Sequence, residues 1–173
     1  EQEWEQIQHS DYLDYIMQLK AAGTIRHIGI SSHNPKVALK AAQSGYVEMI
    51  LFSINPAFDM LPASEDIDVM FAEKFDDDLK GIDAGRARLY KTCEENDVGI
   101  TVMKPFAGGR LFDEKRSPFG TALTRNQCLQ YVLDRPAVLT AVPGVRGLED
   151  LQALLGFLRT TPQENDYSVI GAF

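Results

Sequence analysis

The run Leu19–Pro35, LKAAGTIRHIGISSHNP, constrains the fold more than any other stretch of the chain. It reads as a helix end, a tight turn, a buried strand, a short polar loop and a new helix start. Gly23 sits where a helix stops, since glycine takes the left-handed conformation cheaply. Ile25 to Ile30 is a short β-branched run suited to an inner parallel strand. Asn34-Pro35 restarts a helix, with Asn as N-cap and Pro at the first helical position. Ser31, Ser32 and His33 lie just past the strand's carboxyl end, where α/β proteins gather their functional side chains.

The same grammar repeats downstream. Residues 1–9 read as loop, and Ser10 caps a helix to about Ala22. After the strand 25–30, the pattern predicts a helix over 35–44, a strand over 47–52 and an irregular insert over 57–84. A helix over 86–96, a strand over 99–103 and a Gly-rich exit loop over 104–118 follow. Thr124, with Gln127 three residues on, forms a capping box for a helix to Asp134. A strand over 139–142 leaves through Pro143-Gly144, a Leu-rich helix spans 147–158, and 159–173 is a mixed tail. Strands alternating with helices mean a parallel sheet with right-handed crossovers. Four such units are half of an eight-stranded barrel, and an open doubly wound sheet is the alternative. No GxGxxG or GxxxxGK follows any strand, so neither a Rossmann nor a P-loop site is supported.

The length of 173 residues allows a single domain with a sizeable core. A net charge of −8, from 17 basic and 25 acidic residues, argues against nucleic acid and against an anionic membrane surface. No apolar run approaches the ~20 residues of a membrane span. Cys93 and Cys128 are isolated, which suits a cytoplasmic protein and gives no metal pattern. The first residue is Glu1 rather than Met and no leader pattern is visible, so the expectation is a piece of a longer protein.

Four segments, IRHIGISSHNP (25–35), SINPAF (53–58), VMKPFAGGRL (102–111) and VPGVRGLEDL (142–151), resemble in order and spacing the second half of the aldo-keto reductases. The resemblance implies roughly the last four βα units of a (β/α)₈ barrel. It implies NADP or NAD as cofactor, a small carbonyl substrate and hydride transfer between them. By position, Ser31 and Ser32 fall where the family holds the nicotinamide carboxamide. Met103 falls where many members stack an aromatic on the nicotinamide. Lys104, Pro105, Phe106 and Gly108 fall in the loop over the pyrophosphate, and Gly144, Val145 and Arg146 where the adenosine phosphate sits. The tail from Thr161 to Val169 resembles a bacterial branch in which a ferredoxin-like cysteine segment often follows.

The departures matter as much. Leu51 stands where many members have Gln, and Ala153 and Leu154 where a Glu-Asn pair often meets the adenine. Asp150 stands where an Arg often grips the 2′-phosphate of NADP, which leaves NAD against NADP open. The family's catalytic Asp, Tyr, Lys and His belong to its first half, so no catalytic residue is assigned here. His9, His27 and His33 match none of them. The expectation is the cofactor-holding half of an NAD(P)H-dependent oxidoreductase, inactive alone. The alternative is a stand-alone half-barrel acting as a structural or ligand-binding module, with self-association or pairing with the missing half as its means of closure. Blander readings apply at each site. Ser31, Ser32 and His33 end a strand and cap a helix, and Lys104 and Arg146 are solvated. Asp76–Asp78 form a solvated face rather than a cation site, the cysteines are core, and the stripe Leu148, Leu151, Leu155, Leu158 is core.

Overall fold

The computed structural model describes residues 1–64, 67–72 and 80–171. Four parallel strands, β1 (Gly29–Ser32), β2 (Met49–Ser53), β3 (Gly99–Met103) and β4 (Val138–Val142), lie side by side in chain order. Helices α1 (Gln2–Gln8) and α2 (Asp11–Ala21) precede β1, and α3 (Pro35–Ala42) follows it. The short α4 (Pro56–Asp59) leaves β2, and α5 (Ala84–Glu95) leads into β3. A 3₁₀ segment (Ala107–Phe112) leaves β3, and α6 (Arg125–Leu133) leads into β4. Helices α7 (Leu148–Gly156) and α8 (Pro162–Asn165) close the chain. The expected parallel α/β alternation is therefore present.

Local chemistry sets several element ends as the sequence predicts, although the Ser10 hydroxyl donates back to Ile7 C=O instead of capping α2. The Asn34 side chain accepts from Lys36 N–H with Pro35 in the first turn of α3, and Thr124 and Gln127 form a reciprocal capping box on α6. Gly23, at φ 73°, ends α2 with its neighbour Thr24 donating back to Leu19. Lys20 then ties the end of α2 to Glu48 at 2.7 Å, and Ile28 N–H also donates to that carboxylate. These two donors hold the Glu48 carboxyl down at about 2.

One face of the sheet makes the core. Ile50, Phe52, Ile100 and Val102 point from the middle strands onto Ala38 and Ala41 of α3, Leu89 and Tyr90 of α5, and Tyr131 of α6. The period of two then sends Met49, Leu51, Thr101 and Met103 to the opposite face. That face is open: Met49 is 46% exposed, Leu139 73% and Val142 58%. A register shift between Ile100 and Thr101 leaves Leu139 unpaired on β4 and folds its side chain over Gly99, where a Cβ would collide with it. A second, smaller cluster of Phe58, Leu61, Leu111, Leu123 and Cys128 lies at the strand-exit end.

Four expectations need correction. Residues 1–9 are not loop: α1 forms and Trp4 anchors it, 4% exposed and stacked on Tyr46 at 6.1 Å. The first strand is Gly29–Ser32 rather than 25–30, so Ser31 and Ser32 belong to the strand itself; its backbone pairs with β2 only from Gly29 onward. The insert 57–84 is ordered at its start by α4 and contains a 3₁₀ turn, Ile67–Phe71, while Asp76–Asp78 lie outside the described residues. The leucine stripe of α7 is not core, since Leu148, Leu151, Leu155 and Leu158 are 43–79% exposed. Helical periodicity shows that a face is apolar and does not show what covers it.

Two substitutions separate the faces. Leu89→Ala, at a fully buried position, is expected to cost about 2–5 kcal/mol in urea unfolding. Leu148→Ala, 69% exposed, is expected to stay within about 0.5 kcal/mol.

Candidate functional site

The carboxyl ends of β1, β2 and β3 are laced together. Ser31 is exposed on the open face, paired in register with Leu51, which pairs in turn with Thr101. Ser32 points to the other face, and its hydroxyl is used locally: it accepts from Asn34 N–H at 3.1 Å and donates to Asn34 C=O at 3.2 Å. At this position the structural reading holds, since the hydroxyl shapes the turn into α3. His33 places Nδ1 3.4 Å from the buried Ser53 hydroxyl. Burial first, then the charges of Lys104 and Arg86, hold the imidazole below its usual range. Ser32, His33 and Arg86 also line one end of a cavity of about 750 Å³ that follows the free edge of β1.

The exits of β2 and β3 meet through Asn55, which is wholly buried. Its Oδ1 accepts from Phe58 N–H at 2.9 Å and so caps α4, while its Nδ2 donates to Lys104 C=O at 2.9 Å. Ile54 N–H donates to Met103 C=O beside it. Beyond Met103 the backbone enters the left-handed region four times within six residues: Lys104 at φ 57°, Ala107 at 48°, Gly108 at 66° and Gly109 at 88°. Lys104 C=O also accepts from Ala107 N–H, and Phe106 C=O from Gly109 N–H, so the loop is a compact double turn. The Ala107 and Gly109 N–H groups are spent within the loop, while Gly108, at φ 66° and exposed, presents bare backbone at its outer side. Pro105 is buried, Phe106 packs on Phe112 at 5.1 Å, and burial lowers the affinity of the Lys104 amine for its proton.

The β4 exit stands apart from this lacework. Gly144, Val145 and Arg146 are exposed. Asp150, in the first turn of α7, accepts Arg146 N–H at 3.1 Å with one oxygen and the Arg125 guanidinium at 3.0 Å with the other. The backbone N–H that the resemblance would offer to an adenosine phosphate is thus already held by a carboxylate. Of the sequence-predicted residues, Ser31 and Met103 share the open face. Lys104, Pro105, Phe106 and Gly108 share one loop. Ser32 faces away, and Gly144–Asp150 form a separate patch against α6.

Sequence reasoning missed the polar group behind these exits. Asp59, wholly buried, accepts from the Tyr90 hydroxyl at 2.5 Å and the Tyr131 hydroxyl at 2.8 Å. Arg86, 2% exposed, has Nη1 3.6 Å from the carboxylate. Its guanidinium donates to Leu61 C=O at 3.1 Å and Ser53 C=O at 3.2 Å, and lies over the Phe52 ring at 5.2 Å. Burial pushes the Asp59 carboxyl up against the pull of Arg86 and both tyrosines, and it pushes both tyrosines up as well. The only signal in the sequence was Arg86 and Tyr90 four apart on an apolar helix face. Among the described residues no cluster of His, Cys, Asp or Glu suits a metal ion, and no helix is long and apolar enough to cross a membrane.

With fold and site in view, the comparisons define the class. The family model described as Aldo/keto reductase family matches residues 3–126, and the chain belongs to that family. The match spans the exits of β1, β2 and β3 and stops before β4. No curated protein matches the sequence. Among solved structures, the chain is similar to the holo form of aldo-keto reductase AKR11C1 from Bacillus halodurans, with a TM-score of 0.61 and 19% identity over 92% of this chain and 54% of that one. The apo form gives a TM-score of 0.61 at 20% identity with the same coverage. A thermostable aldo-keto reductase, Tm1743, in complex with the inhibitor epalrestat gives 0.51 at 19%, over 89% and 51%. The chain spans about half the length of these relatives, and its architecture is that of part of a parallel (β/α) barrel.

Asn55→Ala removes a helix cap and a bridge between two strand exits together. It is expected to cost about 1–3 kcal/mol in urea unfolding, and Asn55→Asp, which keeps the cap acceptor but buries a carboxylate against Lys104 C=O, to cost at least as much.

Proposed function

We propose that this chain is the dinucleotide-holding part of an NAD(P)H-dependent aldehyde or ketone reductase. The observation that carries the reading is the Lys104–Gly109 double turn, pinned by Asn55 at the carboxyl end of the sheet. Its residues fit a pyrophosphate: left-handed backbone positions, a lysine at its mouth and no side chain on Gly108 or Gly109 to obstruct an approach. The nicotinamide end fits as well. Ser31 offers a hydroxyl to a carboxamide on the open face, and Met103 offers a polarisable apolar surface to a ring. The bound cofactor would supply the hydride.

The chain's own residues would orient the dinucleotide and exclude water from one side of it. On this reading none of the chain's residues is assigned the family's acid–base role at the carbonyl oxygen, and no turnover is expected from the chain by itself. At the adenosine end, Asp150 sets a negative charge where NADP carries its 2′-phosphate, which favours NADH. A fluorescence titration of the purified chain with NADH and NADPH tests this. The expected result is saturable binding, tighter for NADH, weakened roughly tenfold by Lys104→Ala. Asp150→Ser is expected to improve NADPH about five- to tenfold relative to NADH. Absence of binding to either nucleotide overturns the reading.

A second reading concerns the open face. The accessible surface is 10295 Å² for a 19.3 kDa chain, against about 8,500 Å² for a compact monomer of that mass. An excess of that size is comparable to what one partner contributes to a large interface. Met49, Leu139 and Val142 are exposed on that face, and β1 and β4 leave two edges unpaired. For the chain alone in solution we propose a second copy as the cover. A twofold axis along the strands sets β4 of each copy parallel to β1 of the other and closes eight strands. Analytical ultracentrifugation is expected to show a dimer that Leu139→Asp dissociates. A monomer at about 100 μM overturns this reading and leaves the nucleotide proposal untouched.

A further inference from the structure

The strand-exit site rests on a buried charge that takes no direct part in it. The nine residues from Ser53 to Leu61 leave β2 and form α4, with Asn55 bonding Lys104 C=O at the β3 exit. Arg86 bonds the carbonyl at each end of that segment, Ser53 and Leu61, from within the core. The separation of 3.6 Å between Arg86 and Asp59 is too long for a hydrogen bond. The two tyrosine hydroxyls occupy the carboxylate instead. This division of labour leaves the guanidinium its donors for the main chain while the carboxylate balances its charge. Buried ion pairs rarely add net stability over an apolar replacement, so a pair kept here and aimed at backbone carbonyls reads as a device of position.

We propose that Arg86, clamped by Asp59, Tyr90 and Tyr131, is the positioning residue of the strand-exit site. By fixing Ser53 and Leu61 it sets where Ser53 meets His33 and where Asn55 meets Lys104. Two consequences follow. The first is geometric: the Ile54 N–H bond to Met103 and the Phe58 N–H bond to Asn55 depend on Arg86. The second is electrostatic. The cations facing His33 are Arg86 from α5 and Lys104 from the β3 exit, with the neutral Ser53 hydroxyl from β2. Positive neighbours disfavour the imidazolium, so removing the Arg86 charge raises the pH at which His33 titrates.

The test uses the full chain with Arg86→Met, Arg86→Lys and, as an equally buried control on the same helix, Leu89→Ala. NMR follows the His33 imidazole with pH. Amide hydrogen exchange follows Ile54 and Phe58 relative to Ile100, which bonds Ala137 within the sheet. Arg86→Met is expected to move the His33 titration up toward its ordinary value and to speed exchange at Ile54 and Phe58 at least tenfold relative to Ile100. Arg86→Lys, which keeps the charge and loses the two-pronged geometry, is expected to speed the same amides and leave His33 low. Leu89→Ala is expected to do neither. Wild-type exchange and titration in Arg86→Met, or a Leu89→Ala chain that shifts His33 as far, overturns the proposal. Should Arg86→Met not fold, Arg86→Lys decides alone: unchanged exchange at Ile54 and Phe58 overturns the proposal. A third readout, tenfold weaker NADH binding in Arg86→Lys, rests on the cofactor reading above. Absence of nucleotide binding in the wild type would sink that reading while the first two readouts still decide this one.

Discussion

The buried carboxylate of Asp59 is the point from which the strand-exit end of this fold is built. A carboxylate with no exposure is costly unless its lone pairs and its charge are both met. Here Tyr90 from α5 and Tyr131 from α6 meet the lone pairs, and Arg86 meets the charge. Helices α4, α5 and α6 are thereby joined at one buried carboxylate. The guanidinium passes that constraint on to Ser53 and Leu61, and through Asn55 to Lys104. Polar order in the core becomes positional order at the surface, and a loop with four left-handed residues can persist because both of its neighbours are pinned.

The sheet shows the opposite economy. One face is packed to zero exposure at Ile50, Phe52, Ile100 and Val102, while the other presents Met49, Leu139 and Val142 to solvent. Parallel sheets in α/β proteins are normally covered on both faces. The same holds for α7, whose leucines are patterned for burial and face solvent. The chain spans about half the length of its solved relatives.

That asymmetry explains what was legible in the sequence. The element order, the Asn34 and Thr124 caps and the placement of Cys93 and Cys128 in the core all depend on near neighbours and were readable from local pattern. Trp4 was not, because a lone aromatic in a polar stretch carries no period, and only Tyr46 across the fold makes α1 pack. The strand register was misjudged by four residues at its start for a similar reason, since Ile25 to Ile28 look β-branched but have no partner on β2. At the site, Ser31 and the Lys104–Gly108 loop were visible as polar and glycine-rich exits. The roles of Ser32 and Arg86 were invisible, because each is defined by a bond partner, Asn34 in one case and carbonyls 25 and 33 residues away in the other.

The two ends of the proposed dinucleotide site differ in how firmly they are held, and the difference has a physical origin. On that reading the nicotinamide and pyrophosphate side rests on β1 to β3, where Asn55 and Ile54 tie the β2 exit to the β3 exit, Arg86 holds Ser53, and His33 meets Ser53 from β1. The adenosine side rests on α7, which has no buried residue and is fixed at its first turn by exposed contacts of Asp150. An exposed ion pair is worth about 0–1 kcal/mol, so α7 is free to re-pair its carboxylate at little cost. On the proposed reading, selectivity among dinucleotides is therefore the property of this site most easily altered by a single substitution. The geometry at the hydride-bearing end is the property least easily altered, because changing it means disturbing a charge that the core has already balanced.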